Sequence, residues 1–367
     1  MDLKEHLKTL TELTGPQGHE EAVRHYLREQ WAAYVDEFEV DGFGSLISIK
    51  RGTGPEPRRK IMLCAHMDEI GMLVADIKNG YLRLSDIWGI DERILLGKLV
   101  LIHTRSGILK GLVASVPPHI SNAKGGADAY PEWEELWVDL GLPAEEVAAK
   151  VRIGDIVTMD APAIELMGDK VAGKAMDDRA CVAAVTACLD YLKSRKHEWD
   201  VYAVASAQEE TGLFGAASAA YKVQPHLAIA LDVAFAQQPG VNGDEYPKHG
   251  GAPVIGIGPN LHDGLNKGLQ DTAKQLEMSL FTETYTGATG TDAWSIQVSR
   301  EGIPTALLGV PVRNMHTPIE TVLIKDIDRV GRLMAEFIVG LTGEFMDKIA
   351  WKPADADKGD KKNGADK

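Results

Sequence analysis

Two histidines and a set of acids fall at or just beyond the ends of short apolar runs. His66 and Asp68 close IMLCAHMD, Glu209 and Glu210 close VYAVASAQEE, Asp232 closes HLAIALD, and His316 follows PTALLGVPVRNM. Asp177 and Asp178 open DDRACVAAV. Imidazole and carboxylate together, with thiolate absent from the set, suit zinc, cobalt or manganese. Two neighbouring cations need an anion to screen their repulsion, which a bridging Asp supplies, and a water they share is acidified towards neutrality. Glu209 and Glu210 can divide the work at a strand end, where the chain turns and both reach one site: one binds metal and the other takes a proton from water. Each residue also has a plainer reading. The Glu pair reads as helix-start acids, His66 as a satisfied core histidine, Asp68 as a turn residue, Asp232 as a strand-end cap and His316 as a cap before Pro318. The His-x-Asp spacing favours the chemical reading, because residues two apart in a strand share a face and Asp68 can then hold the far nitrogen of His66.

The elements around these residues point to an α/β fold. Residues 19–35 place Val23, Tyr26, Leu27 and Trp31 on one helical face. A strand region runs from Phe38 to Ile49, interrupted by Gly42 and Gly44, and Arg179 to Leu192 reads as a helix. The runs at 60–65, 201–207, 226–233, 252–258 and 304–310 are short and almost continuously apolar. Strands covered on both faces look like this, and the helices between them imply a mostly parallel sheet. Ligands of such sheets gather at the carboxyl ends of the strands. Between about Gly71 and Pro162 the pieces are β-like and punctuated by Gly and Pro, with one helix-like stretch at Pro143 to Lys150. The expectation is a small β-barrel or β-sandwich inserted into an α/β domain.

Composition excludes several classes. With 39 Lys+Arg against 54 Asp+Glu, the net charge is −15, the wrong sign for a general nucleic-acid binder or for polybasic attachment to a membrane. No apolar run approaches the ~18–20 residues of a membrane helix. The amino-terminal MDLKEHLKTL carries charges where a secretory signal has its apolar core. Three cysteines, Cys64, Cys181 and Cys188, read as buried reduced thiols and point to the cytoplasm. Residues 353–367 contain no large apolar side chain and read as a solvated tail.

The segments AHMDEIG, KAMDDR, QEETGLFGA, ALDV, GTDA and RNMHTPIE resemble the signature series of the tetrahedral (TET) aminopeptidases, dinuclear metallopeptidases related to glutamyl and deblocking aminopeptidases, some of which carry a cellulase label. The resemblance spans nearly all of residues 1–345 in order, with WGIDERILLGKLV and SVPPH in the insertion. It implies an α/β catalytic domain of a zinc-peptidase type (1–70 and 164–352) interrupted by a β-barrel dimerisation domain (71–163). It implies two divalent ions per chain, zinc foremost, with cobalt or manganese as alternatives. His66 and Asp232 would bind one ion, Glu210 and His316 the other, and Asp177 would bridge them. Glu209 would be the general base and Asp68 would orient His66. It further implies short peptides as substrates and a homo-oligomer, a tetrahedral dodecamer built from dimers. Three positions depart from the pattern without removing a ligand. Cys181 stands for a usual Gly, Phe214 for a common Arg, and Trp88 for a common Gly.

Rival readings use parts of the same constellation. A dinuclear carboxypeptidase or deacylase needs much the same ligands, a glycosidase needs two carboxylates and no metal, and a non-catalytic assembly protein would keep only the fold. In TGATGTDAWSI (286–296), Thr291 and Asp292 precede a helix and read equally as caps and as site wall.

Overall fold

The computed structural model describes residues 1–117 and 131–350. The tail at 353–367 and part of the SVPPH segment lie outside these described residues. The chain begins with helices α1 (Leu3–Glu12) and α2 (Glu21–Trp31), then strands β1 (Glu37–Val40), β2 (Leu46–Lys50) and β3 (Lys60–His66). After an inserted stretch come β10 (Ile164–Leu166), β11 (Lys170–Gly173), α4 (Met176–Leu192), β12 (Asp200–Ser206), the short α5 (Glu209–Gly212), α6 (Phe214–Val223) and β13 (Leu227–Phe235). The remainder is β14 (Val254–Ile257), α7 (Asp263–Gln275), β15 (Phe281–Thr284), α8 (Ala293–Ile296), β16 (Thr305–Val312), β17 (Glu320–Leu323), α9 (Ile324–Gly340) and α10 (Phe345–Ile349).

Eight strands form one sheet in the order β1-β2-β12-β3-β13-β16-β14-β15. The central four, β12, β3, β13 and β16, are mutually parallel, while β2 and β14 run antiparallel to their inner neighbours. The apolar runs alternate between two cores. Ile61, Leu63 and Ala65 of β3 face the helices α1, α2, α4 and α9, whereas Met62 and Cys64 face α6 and α8. Both faces are dry, so polar alternation is absent from these strands. Helix α4 is buried nearly all round, as a helix sandwiched between sheet and outer helices must be. It meets α9 so closely that a Cβ on Gly331 would lie 2.7 Å from the Ala187 Cβ.

The inserted stretch closes into a six-stranded antiparallel barrel, settling the choice between barrel and sandwich. Its strands are β4 (Met72–Lys78), β5 (Tyr81–Asp86), β6 (Leu99–Thr104), β7 (Gly107–Ala114), β8 (Trp137–Asp139) and β9 (Ile156–Met159), paired in the order β4-β5-β8-β7-β6-β9. Helix α3 (Ala144–Lys150) packs Val147 into the barrel's own core. A third, three-stranded sheet β10-β11-β17 pairs Gly173 with Glu320. The sequence pattern did not signal this sheet, because its strands are only three or four residues long. Among the described residues no helix is long and apolar enough to cross a membrane. The three cysteines are free and buried.

Candidate active site

The parallel strands deliver their carboxyl ends to one rim, and register sets the rows. Ser206 of β12 lies opposite His66 of β3, and Ala230 of β13 lies opposite Cys64. Two residues further along, Asp232 comes level with His66. Asp232 does not end its strand, as its sequence position suggested, since β13 continues to Phe235. The regular helix of α4 begins at Arg179, because Asp177 and Asp178 have non-helical backbone angles.

The seven sequence-predicted residues, His66, Asp68, Asp177, Glu209, Glu210, Asp232 and His316, converge. His66 Nε2 lies 3.1 Å from Asp177 Oδ1, and His316 Nε2 lies 3.2 Å from Asp177 Oδ2. Glu210 Oε2 is 3.5 Å from His316 Nε2, and Glu209 Oε2 is 4.0 Å from His66 Nε2. Asp68 Oδ1 stands 3.3 Å from His66 Nδ1 and, with Asp177, holds that imidazole's pKa up against burial. Both Asp68 oxygens also accept the backbone N–H groups of Glu209 and Glu210, each at 3.1 Å. Asp68 therefore caps the turn that presents the two glutamates.

Electrostatics divides the group. Burial pushes the carboxyls of Glu210, Asp232 and Asp178 well above the ordinary range, and neighbouring acids push the same way. Burial drives Glu209 up to about 10, with Asp232, Asp292 and Asp68 adding to it and His66 opposing. Asp177 goes the other way. Burial would raise it, but its hydrogen bonds to His316 and His66 hold it below the usual carboxylate range. Both histidines are held up by Asp177 against the burial that would lower them.

So many buried acids around two imidazoles leave polar atoms without partners. Glu210 Oε1, Asp178 Oδ1 and Asp292 Oδ1 are buried and unbonded. Donor atoms of His66, Asp177 and Glu210 lie within 4.8 Å of one another, as do those of His66, Asp178 and Asp232. Orphaned carboxylate oxygens beside imidazole nitrogens fit divalent cations.

Three further residues belong to the arrangement. Asp178 joins His66 and Asp232, and its Oδ2 accepts the His66 backbone N–H at 3.3 Å. Glu320 accepts the backbone N–H groups of Asp177 (3.0 Å) and His316 (2.7 Å), and burial beside Asp177 raises it to about 8. Asp292 is fully buried. Its Oδ2 accepts from Ser206 and, at 3.5 Å, from Cys64, so its side chain makes no helix cap. Thr291 accepts the Ala293 N–H instead. The signals for Asp178 and Glu320 were present in the Asp-Asp doublet and in the last letter of RNMHTPIE, but neither carried a role.

The model of the M42 glutamyl aminopeptidase family matches residues 44–333. The chain belongs to this family. The M42 chain is 34% identical over 331 residues to the lysyl aminopeptidase of Pyrococcus furiosus, covering 89% of this chain and 94% of that protein. A TET aminopeptidase from a marine sediment archaeon of the Thaumarchaeota superposes with TM-score 0.89 and 31% identity, covering 95% of this chain and 99% of the other. The TET1 peptidase of Pyrococcus horikoshii, which can assemble into a tetrahedron or a large octahedral shell, superposes with TM-score 0.81 and 30% identity over 93% of the M42 chain and all of its own.

A buried charge cluster supports the M42 site from behind. Glu69, next to Asp68, takes Lys174 Nζ at 2.6 Å and Arg179 Nη2 at 3.3 Å, and accepts the Gly15 N–H at 3.0 Å. Arg179 is fully buried and also donates to the carbonyls of Leu10, Leu13 and Met67. These bonds tie α1, the end of β3 and the start of α4 into one unit.

Proposed function

We propose that the chain is a dinuclear metal-dependent aminopeptidase that removes N-terminal residues from short peptides. The observation that carries this reading is Asp177 reaching a different histidine with each of its oxygens. His66, Asp232 and Asp177 would hold one divalent cation, and His316, Glu210 and Asp177 the other, with zinc foremost and cobalt or manganese as alternatives. When bound, such a pair supplies Lewis acidity and a water of lowered pKa. Glu209 accepts the proton from the attacking water and returns it to the leaving amine. Its burial places its proton affinity high, and nearby positive charge would lower it into the working range of a base. Asp68 orients His66 and fixes the backbone of Glu209 and Glu210. Glu320 fixes the backbone of Asp177 and His316, so the ligand set is held before substrate arrives.

The proposed organisation is a catalytic domain of residues 1–70 and 164–352 with a dimerisation barrel at 71–163, working in the cytoplasm as a homo-oligomer, a dodecamer built from dimers. Leu99, Ile108, Leu112 and Ile153 are at least half exposed or close to it on the barrel and its flanks, which suits a face covered by a second copy. The assembly of the Pyrococcus horikoshii relative supports the same reading.

The test pairs Zn²⁺ uptake with hydrolysis of free and N-acetylated peptides before and after chelation. Two ions per chain, chelator-sensitive activity and a requirement for the free amine are expected. Activity on acetylated peptides alone would favour a deacylase, release from the carboxyl end a carboxypeptidase, and chelator-resistant cleavage of glycans a glycosidase.

A further inference from the structure

The inserted barrel reaches into the site. The turn after β5 brings the carbonyl oxygen of Gly89 to 3.1 Å from His316 Nδ1. Gly89 has φ +89°, and a Cβ there would lie 2.8 Å from His316 Nδ1 and 2.9 Å from its Cε1. Glycine is therefore required twice, for the backbone conformation and for the close approach. The turn is itself built by one carboxylate: Asp86 Oδ1 accepts the N–H groups of Trp88 (3.0 Å) and Ile90 (3.3 Å). On either side it is anchored by the Ile87 N–H to the Gly71 carbonyl at 3.0 Å and by Ile90 in the barrel core.

We infer that this turn is a positioning element for His316, with Gly89 and Asp86 as its working residues. A carbonyl can only accept, so it selects the imidazole tautomer with hydrogen on Nδ1. The lone pair then sits on Nε2, the nitrogen that faces Asp177 and Glu210. The ring cannot flip without losing this bond. The barrel thus sets the geometry of one of the two cation positions, and the seating of the insertion and the loading of that position are linked. This inference rests on the metallopeptidase reading above.

The test is titration of the metal-free full-length chain with Zn²⁺ alone, read by competition with a chromophoric chelator. Gly89→Ala and Asp86→Ala are expected to weaken one of the two ions by about 10- to 100-fold, leaving the other unchanged. Asp86→Asn, which keeps an acceptor oxygen, should bind nearly as wild type. In the double variant Gly89→Ala/His316→Ala, the loss should not exceed that of His316→Ala alone. Wild-type affinity for both ions in Gly89→Ala and Asp86→Ala overturns the inference and leaves the metallopeptidase reading standing. Equal weakening of both ions with a lowered melting temperature also overturns it, since that marks general damage. No Zn²⁺ uptake by the wild-type chain overturns the metallopeptidase reading and this inference with it.

Discussion

The carboxylate of Asp68 accepts the backbone N–H of Glu209 at 3.1 Å, across 141 positions of sequence. The end of one parallel strand thereby fixes the turn at the end of its neighbour. Removing the acceptor leaves buried N–H groups unpaired at about 1–3 kcal/mol. Asp68→Ala is expected to lower the melting temperature and to reduce kcat more than it raises KM, because Glu209 and Glu210 lose their fixed backbone. Asp68→Asn keeps one oxygen acceptor and should fall between the two. Unchanged kcat in Asp68→Ala would remove Asp68 from the machinery.

On the proposed mechanism, variants of Glu209 and Asp177 separate proton transfer from ion binding. Glu209→Gln removes the proton acceptor and should lower kcat by roughly 10²- to 10⁴-fold while Zn²⁺ uptake stays at the wild-type level. Asp177→Ala removes the group between the two histidines and should abolish uptake of both ions. Elemental analysis alongside steady-state kinetics distinguishes these outcomes, and a Glu209→Gln variant with near wild-type turnover would contradict the base assignment.

The Glu69 cluster makes a stability prediction. Its carboxyl is held low by Lys174 and Arg179 despite burial, and burial lowers both cations. Glu69→Gln strands two buried positive charges and should cost about 3–5 kcal/mol. In thermal or denaturant unfolding, adding Lys174→Met to Glu69→Gln should recover part of that loss. No recovery would mean that the cluster does not act as a charge unit.

His6 gives the fold an acid-sensitive point of its own. Its ring lies between the Tyr26 hydroxyl (2.9 Å) and the Thr186 hydroxyl (3.0 Å), and burial depresses its pKa from 6.5 to about 4. Between these values the unfolded chain binds the proton and the folded chain does not, so stability rises with pH. The contribution, on the order of 3 kcal/mol, is complete above pH 6.5 and is lost as pH falls through about 4. His6→Gln should flatten the stability profile across this window. An unchanged slope would assign the acid sensitivity to other groups.

Much of this protein was legible in the chain itself. Continuous apolar runs identify strands buried on both faces, and the change to short Gly- and Pro-punctuated pieces marks the insertion. Acids and histidines at the ends of those runs mark the rim, because a strand's last residues must lie at a sheet edge wherever the sheet is. Thr291 and Asp292 show the limit: either suits the cap position, and only packing against Ser206 and Cys64 turns Asp292 inward.

The tertiary structure decided what meets across the sheet. Asp232 looked like a strand end and lies within a longer strand, level with His66, because register and not local pattern sets the row. Glu320 enters through a short strand paired with β11, which brings it beside the start of α4 and lets it hold both Asp177 and His316. Gly89 reaches His316 only because the barrel folds back onto the rim. Residue types and their order are local properties and are written in the sequence. Which nitrogen faces which oxygen depends on strand pairing and domain seating over more than a hundred residues, and only the folded chain fixes it.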